Sequence, residues 1–243
     1  MIEVGYYENA EKIISIPLTL ITALGTVMLP RISNILSKGE ETKINQYISK
    51  SINFVMFMSF AMCFGLISIG YKFAPLYFGN EFQKTGILIM FLALTLPFIS
   101  FANVIRTQYL IPKEKDKIYI TSVFLGAIIN FIMNIIFISK FGSIGACIGT
   151  IAAEFIVMFY QTLSVRKELD IKKYIKNILP FFIKSFMMFV LVYSFNYIHM
   201  NSLLRIFIQV LVGGTIYLLL NYKYINSIID VKKIFTKFKK KVS

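Results

Sequence analysis

Apolar residues follow one another along this chain in blocks of about 20, and short polar gaps separate the blocks. A block of that length crosses the hydrocarbon core of a bilayer as one α-helix. The blocks predict membrane spans at about residues 12–35, 48–71, 86–111, 118–139, 143–164, 178–198 and 203–222. The longest gap between them covers residues 165–177. The predicted fold is therefore all-α, a polytopic membrane helix bundle of about seven transmembrane helices.

The positive charges lie mainly in the gaps, and they are distributed unequally between the two ends of the predicted spans. The chain has 243 residues and a net charge of +14. If successive spans alternate in direction, nineteen lysines and arginines fall on one membrane face and five on the other. The positive-inside bias then predicts a cytoplasmic C-terminus and, with an odd number of spans, an N-terminus outside. Because the basic residues follow the membrane pattern, we expect no nucleic acid as a partner.

Two regions are predicted: a transmembrane helical lobe, residues 1–222, and a basic cytoplasmic tail, residues 223–243. In the tail, Val231, Ile234, Phe235 and Phe238 share one helical face and lysines share the other. That pattern is typical of an amphipathic helix on an anionic membrane surface. A frayed basic tail is the alternative.

Polar residues repeat every three or four positions along the first span, which places them on one helical face. The set is Glu8, Lys12, Ser15, Thr19, Thr22 and Thr26. A polar face on a spanning helix is typical of a helix that lines a wet cavity. Glu8 or Glu11 would pair with the lysine in an empty cavity. The alternative is that the hydroxyls only hydrogen-bond to their own helix backbone.

The fourth span has a similar row of polar and small residues. Ser122, Gly126, Asn130 and Asn134 are spaced by four and share a face. Two asparagines in mid-membrane need hydrogen-bond partners, so they either hold helices together or meet a polar substrate.

The fifth span combines a row of small residues with an acidic residue. Gly145, Gly149 and Ala153 form a ridge that allows close approach of another helix. Glu154 is a candidate ion-coupling residue, because ionisable side chains within membranes are commonly functional. Arg106 and Lys184 are its candidate partners, unless both extend instead to the cytoplasmic interface.

The sequence contains no pattern for covalent chemistry or metal binding. It has no Ser-His-Asp set and no glycine-rich phosphate loop, and Cys63 and Cys147 lie in separate apolar blocks. His199 is the only histidine. We therefore expect no catalytic residues, no metal and no cofactor, and a protein that is not an enzyme.

Several segments resemble signatures of the lipid-linked polysaccharide flippases. These form the polysaccharide-transporter branch of the multidrug/oligosaccharidyl-lipid/polysaccharide exporter superfamily. The segments are VGYYENAEKI (4–13), LITALGTVMLPRIS (20–33), APLYFGNEF (74–82), INFIMN (129–134) and FGSIGACIGTIAAE (141–154). They occur in the family's order and cover essentially the whole chain.

The resemblance implies a fold of about twelve to fourteen helices in two pseudo-symmetric lobes around a central cavity. This chain matches only the second lobe, so a missing N-terminal half or an equivalent partner chain is expected. The implied function is flipping of undecaprenyl-pyrophosphate-linked oligosaccharide repeat units across the bacterial plasma membrane, for capsule, O-antigen or similar polysaccharides. The expected partners are this lipid-linked oligosaccharide and membrane lipids.

The resemblance also implies which residues bind the substrate. Family members hold the pyrophosphate with cationic cavity residues, and Lys12 is the matching position, while Arg31 follows the family's Pro-Arg at the far end of the same span. The full set of predicted substrate-binding residues is Lys12, Glu11, Ser15, Thr19, Thr22, Asn130 and Asn134.

Three alternatives remain open at the level of sequence. The chain could be a membrane-embedded glycosyltransferase or polymerase of the same pathway. It could be a small-molecule exporter of the same superfamily, although a lysine-bearing cavity argues against a cationic substrate. It could also be a non-functional truncated fragment.

Overall fold

The computed structural model describes residues 2–38 and 41–228, with only the backbone of Glu41 and Thr42. This part of the chain is helical and contains no strand. Its helices are α1 (Ile2–Ser37), α2 (Glu41–Phe78), α3 (Gln83–Ala93), α4 (Thr95–Ile105), α5 (Asp116–Phe141), α6 (Ser143–Val165), α7 (Ile171–Ser194), α8 (Ser202–Leu220) and α9 (Tyr222–Ile228). The predicted all-α class is confirmed, whereas the predicted tail beyond residue 228 lies outside the described residues.

Seven stretches within the described residues are long and apolar enough to cross a membrane, as predicted. They are Ile2–Ser37, Lys43–Phe78, Asn80–Leu110, Asp116–Phe141, Ser143–Val165, Ile171–Tyr197 and Ser202–Leu220. The face at which α1 ends and α2, α5 and α7 begin is called the basic face below. The other end of the bundle is called the opposite face.

Several helices are longer than the apolar blocks that predicted them. Helix α1 has 36 residues, which corresponds to a length of about 54 Å at 1.5 Å per residue. Helix α7 begins at Ile171, so the connection after α6 is only residues 166–170 and the predicted gap of 165–177 was too long. Lysine and glutamate are good helix formers, so these helices continue past the hydrocarbon region into polar sequence.

The third span is broken into consecutive helical pieces. A 3₁₀ turn (Asn80–Phe82) precedes α3, and a π-helical segment (Arg106–Leu110) follows α4. Helix α3 ends at Ala93, and α4 begins at Thr95. Pro97 lacks the N–H that would bond to the carbonyl four residues earlier, and this explains the interruption at that point.

Helix α2 forms the centre of the bundle. It packs against α1, α3, α4, α7 and α8. Helices α5 and α6 form a closely packed pair, and α6 joins that pair to the rest by packing on α3 and α4. Helix α5 itself is peripheral, since Ser122 and Gly126 are its only buried residues. The described residues therefore form a helix bundle centred on α2, and one side of α1 is exposed.

The close contact of α5 with α6 depends on the small residues predicted to form a ridge. Gly145, Gly149 and Ala153 are all buried. A Cβ added to Gly145 would lie 2.3 Å from the backbone oxygen of Phe137 on α5. The predicted small-residue ridge is confirmed.

One polar cluster ties helices together at each membrane face. At the opposite face, the Glu3 carboxylate accepts hydrogen bonds from Lys84 Nζ (2.6 Å) and from the Ser143 hydroxyl (2.6 Å), which joins α1, the third span and α6. At the basic face, Glu168 accepts from Lys115 and Tyr109. The hydrogen bond from the Lys115 ammonium is the largest cause of the lowered pKa of the Glu168 carboxyl group. This group therefore stays ionised and bound to its two partners.

Candidate functional site

Helix α1 presents the predicted polar residues on its uncovered side. Glu8, Glu11, Lys12, Ser15, Thr19 and Thr26 are exposed, and Thr22 is half-buried. The opposite side of the helix is buried through Ala10, Ile14, Pro17, Ile21 and Gly25. The exposed set is called the α1 polar face below.

The hydroxyls of this face donate to their own helix. Ser15 Oγ donates to the Lys12 carbonyl (2.7 Å), Thr19 Oγ1 to the Ser15 carbonyl (2.8 Å) and Thr22 Oγ1 to the Leu18 carbonyl (2.9 Å). This is the backbone bonding that the alternative interpretation predicted. These bonds leave Ser15 and Thr19 exposed, and each hydroxyl oxygen can still accept a hydrogen bond from outside the helix.

Lys12 has an exposed ammonium group with no carboxylate partner among the described residues. The expected pairing with Glu8 or Glu11 is not present. Both glutamates are themselves exposed. The lysine is therefore open to an anionic group that approaches the α1 polar face.

Helix α6 borders the α1 polar face on one side. The Tyr7 hydroxyl lies 2.8 Å from Thr150 Oγ1, and Thr150 in turn donates to the Ala146 carbonyl (3.1 Å). Glu154 lies one turn beyond Thr150 and is half-buried. Glu11 and Glu154 both lie near enough to act electrostatically on Tyr7. This contact could not be predicted from the sequence, because Tyr7 and Thr150 are 143 positions apart along the chain.

Asn130 and Asn134 lie away from the α1 polar face. Asn134 Nδ2 donates to Asn130 Oδ1 (2.9 Å), and a Cβ at Gly149 would lie 2.4 Å from Asn134 Oδ1. Both asparagines therefore face α6 within the α5–α6 pair. The structure supports helix association for them and does not bring them together with Lys12.

The two candidate partners of Glu154 have different surroundings. Arg106 acts on Glu154 electrostatically, and its guanidinium lies over the Tyr119 ring (5.4 Å to the centroid). Lys184 donates instead to Asn221 Oδ1 (3.2 Å). The structure does not bring the candidate partner Lys184 to Glu154, because α7 packs on α2 and α8 rather than on α6.

An apolar groove borders the α1 polar face on its other side. Its volume is about 470 Å³, and it lies between α1, α2, α7 and α8. Ile16 and Leu20 contribute the α1 wall, and Met58, Val192 and Gly214 contribute the others. Ile16 is one helical turn from Lys12. The sequence could not predict this groove, because its walls come from four segments that are far apart along the chain.

Gln209 and Tyr217 at the wall of the groove each donate a hydrogen bond to a backbone carbonyl, whereas Gln209 Oε1 is buried without a partner among the described residues. Gln209 Nε2 donates to the Val192 carbonyl (3.0 Å), and the Tyr217 hydroxyl donates to the Phe57 carbonyl (2.7 Å). The groove therefore offers a hydrocarbon chain an almost wholly apolar surface.

A solved structure and several curated proteins resemble this chain. A solved structure described as lipid II flippase MurJ in an inward closed conformation superposes with a TM-score of 0.80 at 22% identity, covering 93% of this chain and 48% of that one. "Probable low-salt glycan biosynthesis flippase Agl15" of Haloferax volcanii is 24% identical over 222 residues, or 91% of this chain and 47% of the relative. Lipid II flippase MurJ of Bacillus subtilis is 20% identical over 229 residues, or 88% and 42% respectively.

The chain spans about half the length of the curated relatives it matches. The sequence profile of one family, described as lipid II flippase MurJ, matches residues 3–217. That match covers nearly all of the membrane-spanning sequence, and the fold agrees with it. This multi-pass membrane protein belongs to the MurJ family of lipid flippases.

Proposed function

We propose that this chain forms one half of a flippase that moves a polyprenyl-pyrophosphate-linked saccharide across the bacterial plasma membrane. The observation that carries the proposal is the juxtaposition on α1. The exposed Lys12 ammonium and a row of hydroxyls lie directly beside an apolar groove of about 470 Å³. An amphipathic substrate with an anionic junction between sugar and hydrocarbon matches that order of surfaces.

Each surface corresponds to one part of such a substrate. Lys12 is a point charge suited to pyrophosphate. The outward oxygens of Ser15 and Thr19 accept hydrogen bonds from sugar hydroxyls. The groove receives part of the polyprenyl chain, whose remainder stays in lipid. Glu11 and Thr22 flank the path, and Glu154 with Arg106 is proposed as a coupling site for an ion gradient.

A second lobe is proposed to complete the cavity. The α1 polar face includes three charged residues, Glu8, Glu11 and Lys12, that nothing in the described chain covers. Charged groups exposed to hydrocarbon are strongly unfavourable, so a second wall that encloses a wet cavity would stabilise this arrangement. The missing half of a longer protein, or an equivalent partner chain, would supply that wall and rock against this lobe.

Within this substrate class we propose an oligosaccharide repeat unit destined for capsule, O-antigen or a similar polysaccharide. The glycan flippase among the relatives supports this choice. The peptidoglycan precursor lipid II is the second candidate, favoured by the description of the matching family. Depletion of the chain should leave lipid-linked repeat units accumulated in the membrane, measured by extraction and mass spectrometry of polyprenyl-linked glycans. Accumulation of lipid II instead would assign the second substrate.

A bulky side chain in the groove gives a sharper test of the mechanism. We expect Gly214→Phe, expressed in depleted cells, to reduce polymer export at least tenfold, because the ring occupies space meant for the polyprenyl chain. The matched control is Thr215→Phe, which adds a ring to the adjacent exposed position outside the groove. Equal export by both variants at equal membrane abundance would contradict the role of the groove. Elongation of lipid-linked sugar by the purified chain would favour a polymerase instead.

The proposed orientation places the basic face in the cytoplasm and the N-terminal end of α1 outside. Cys63 and Cys147 are both buried, so an introduced cysteine can be labelled selectively. Lys140→Cys should react with a membrane-impermeant maleimide in intact cells. Lys117→Cys, at the other end of α5, should react only after permeabilisation. If instead Lys117→Cys reacted in intact cells and Lys140→Cys only after permeabilisation, the orientation would be the opposite of the one proposed.

A further inference from the structure

A second cavity lies at the basic face, apart from the α1 polar face and the groove. It is formed where α6 ends and α7 begins, and its volume is about 730 Å³. Four of its lining residues are cations, namely Arg166, Lys167, Lys172 and Lys173, and Asp170 is the only acidic one. This opening is called the α6–α7 cavity below.

None of the four cations has a hydrogen-bond or ion-pair partner within the described part of the chain. All four side chains are exposed. The nearby Glu168 does not neutralise them, because it is held by Lys115 and Tyr109. A concave surface with four unpaired positive charges has a strongly positive potential and attracts a polyvalent anion.

Apart from Thr162, the remaining lining of the cavity is apolar. Leu163, Leu169 and Ile171 contribute to its walls. One and two turns further along α6, Phe159 and Phe155 are exposed, so an apolar strip descends from the cavity toward the bilayer centre. A soluble anion has no hydrocarbon that could pack on this strip, whereas the acyl chains of a lipid would pack along it.

We propose that the α6–α7 cavity binds the headgroup phosphate of an anionic glycerophospholipid of the surrounding leaflet. Its position at the helix ends places the four cations at headgroup depth. Basic pockets between transmembrane helices bind anionic headgroups by the same physics. The site is independent of the proposed transport and would hold even if the transported substrate were different.

The test measures lipid binding to the chain purified from membranes. Native mass spectrometry of the chain in detergent would count the bound phosphatidylglycerol and phosphatidylcholine molecules as each lipid is titrated. We expect phosphatidylglycerol to bind at least tenfold more tightly than phosphatidylcholine. A variant with Arg166, Lys167, Lys172 and Lys173 all replaced by glutamine should lose that preference.

The matched control replaces Lys38, Lys50, Lys117 and Lys223 by glutamine. These exposed lysines lie at the same membrane face, outside the cavity, and their removal changes the net charge by the same amount. The control should keep the preference for phosphatidylglycerol, and equal loss in both variants would overturn the site. If the fourfold cavity variant fails to fold, Arg166→Gln and Lys173→Gln alone should each weaken binding several-fold, and unchanged binding in both would also overturn it.

Competition distinguishes the lipid from other phosphate sources. Inorganic phosphate and soluble glycerol phosphate at millimolar concentration should leave phosphatidylglycerol bound, because they lack acyl chains for the apolar strip. Displacement by either would assign the cavity to a soluble anion. Displacement by a polyprenyl pyrophosphate at lower concentration than phosphatidylglycerol would assign it to the transported lipid, and would overturn the proposal.

Discussion

Replacing Lys12 by alanine should lower transport by roughly 10- to 100-fold and leave membrane insertion unchanged. A hydrogen bond to a charged group contributes about 1.5–3 kcal/mol, which corresponds to that range. Lys12 is exposed and has no ion-pair partner among the described residues, so the folded lobe should tolerate its removal. Export of polymer and membrane abundance, measured in the same cells, separate the two effects.

Two further variants define what Lys12 contributes. Lys12→Arg keeps the positive charge and should retain most of the transport. Lys140→Ala removes an exposed lysine at the same end of the bundle, on the peripheral helix α5, and should transport normally. Normal export by Lys12→Ala would show that Lys12 does not bind the substrate. Equal defects in Lys12→Ala and Lys140→Ala would point to a general effect of charge.

Replacing Gly145 by alanine should destabilise the lobe by about 3 kcal/mol, at the upper end of overpacking effects. The added Cβ would lie 2.3 Å from the Phe137 carbonyl oxygen and 2.4 Å from its carbon. These are backbone atoms, which cannot rotate away, so α5 and α6 must separate. We expect the melting temperature in detergent to fall by roughly 5–10 °C.

Gly65→Ala is the matched control for this substitution. Gly65 also lies within a membrane helix, but a Cβ there would meet no atom within 4 Å. Alanine favours a helix over glycine by about 1 kcal/mol, so this variant should melt at the same temperature or higher. If both variants melt alike, the close approach of α5 and α6 does not limit stability.

The number and type of spans could be predicted because each depends on local sequence. About 20 apolar residues in a row are sufficient for a spanning helix wherever they occur. The ridge of Gly145, Gly149 and Ala153 was equally predictable, since spacing by four places residues on one face. The exposure of Lys12, Ser15 and Thr19 on a single face of α1 follows the same rule.

The pairing of distant residues could not be predicted in this way. The periodicity of Asn130 and Asn134 shows that they share a face but not that the face meets α6. Lys184 and Glu154 have opposite charges, yet α7 packs on α2 and α8 rather than on α6. The groove and the α6–α7 cavity arise from the arrangement of whole helices, and no single segment encodes them.

Under the proposed function, the hydrogen bonds that Ser15, Thr19 and Thr22 donate to their own helix affect the speed of transport. Each hydroxyl already donates a hydrogen bond to a backbone carbonyl, so it can only accept a hydrogen bond from the saccharide of the proposed substrate. A single neutral hydrogen bond contributes a net stabilisation of about 0.5–1.5 kcal/mol. Similar weak contacts at successive turns give a shallow energy profile along α1, in which each step of the saccharide breaks one contact and forms the next. Such a surface shortens the dwell time at every position, and a helix that bound the saccharide tightly would hold it in the membrane.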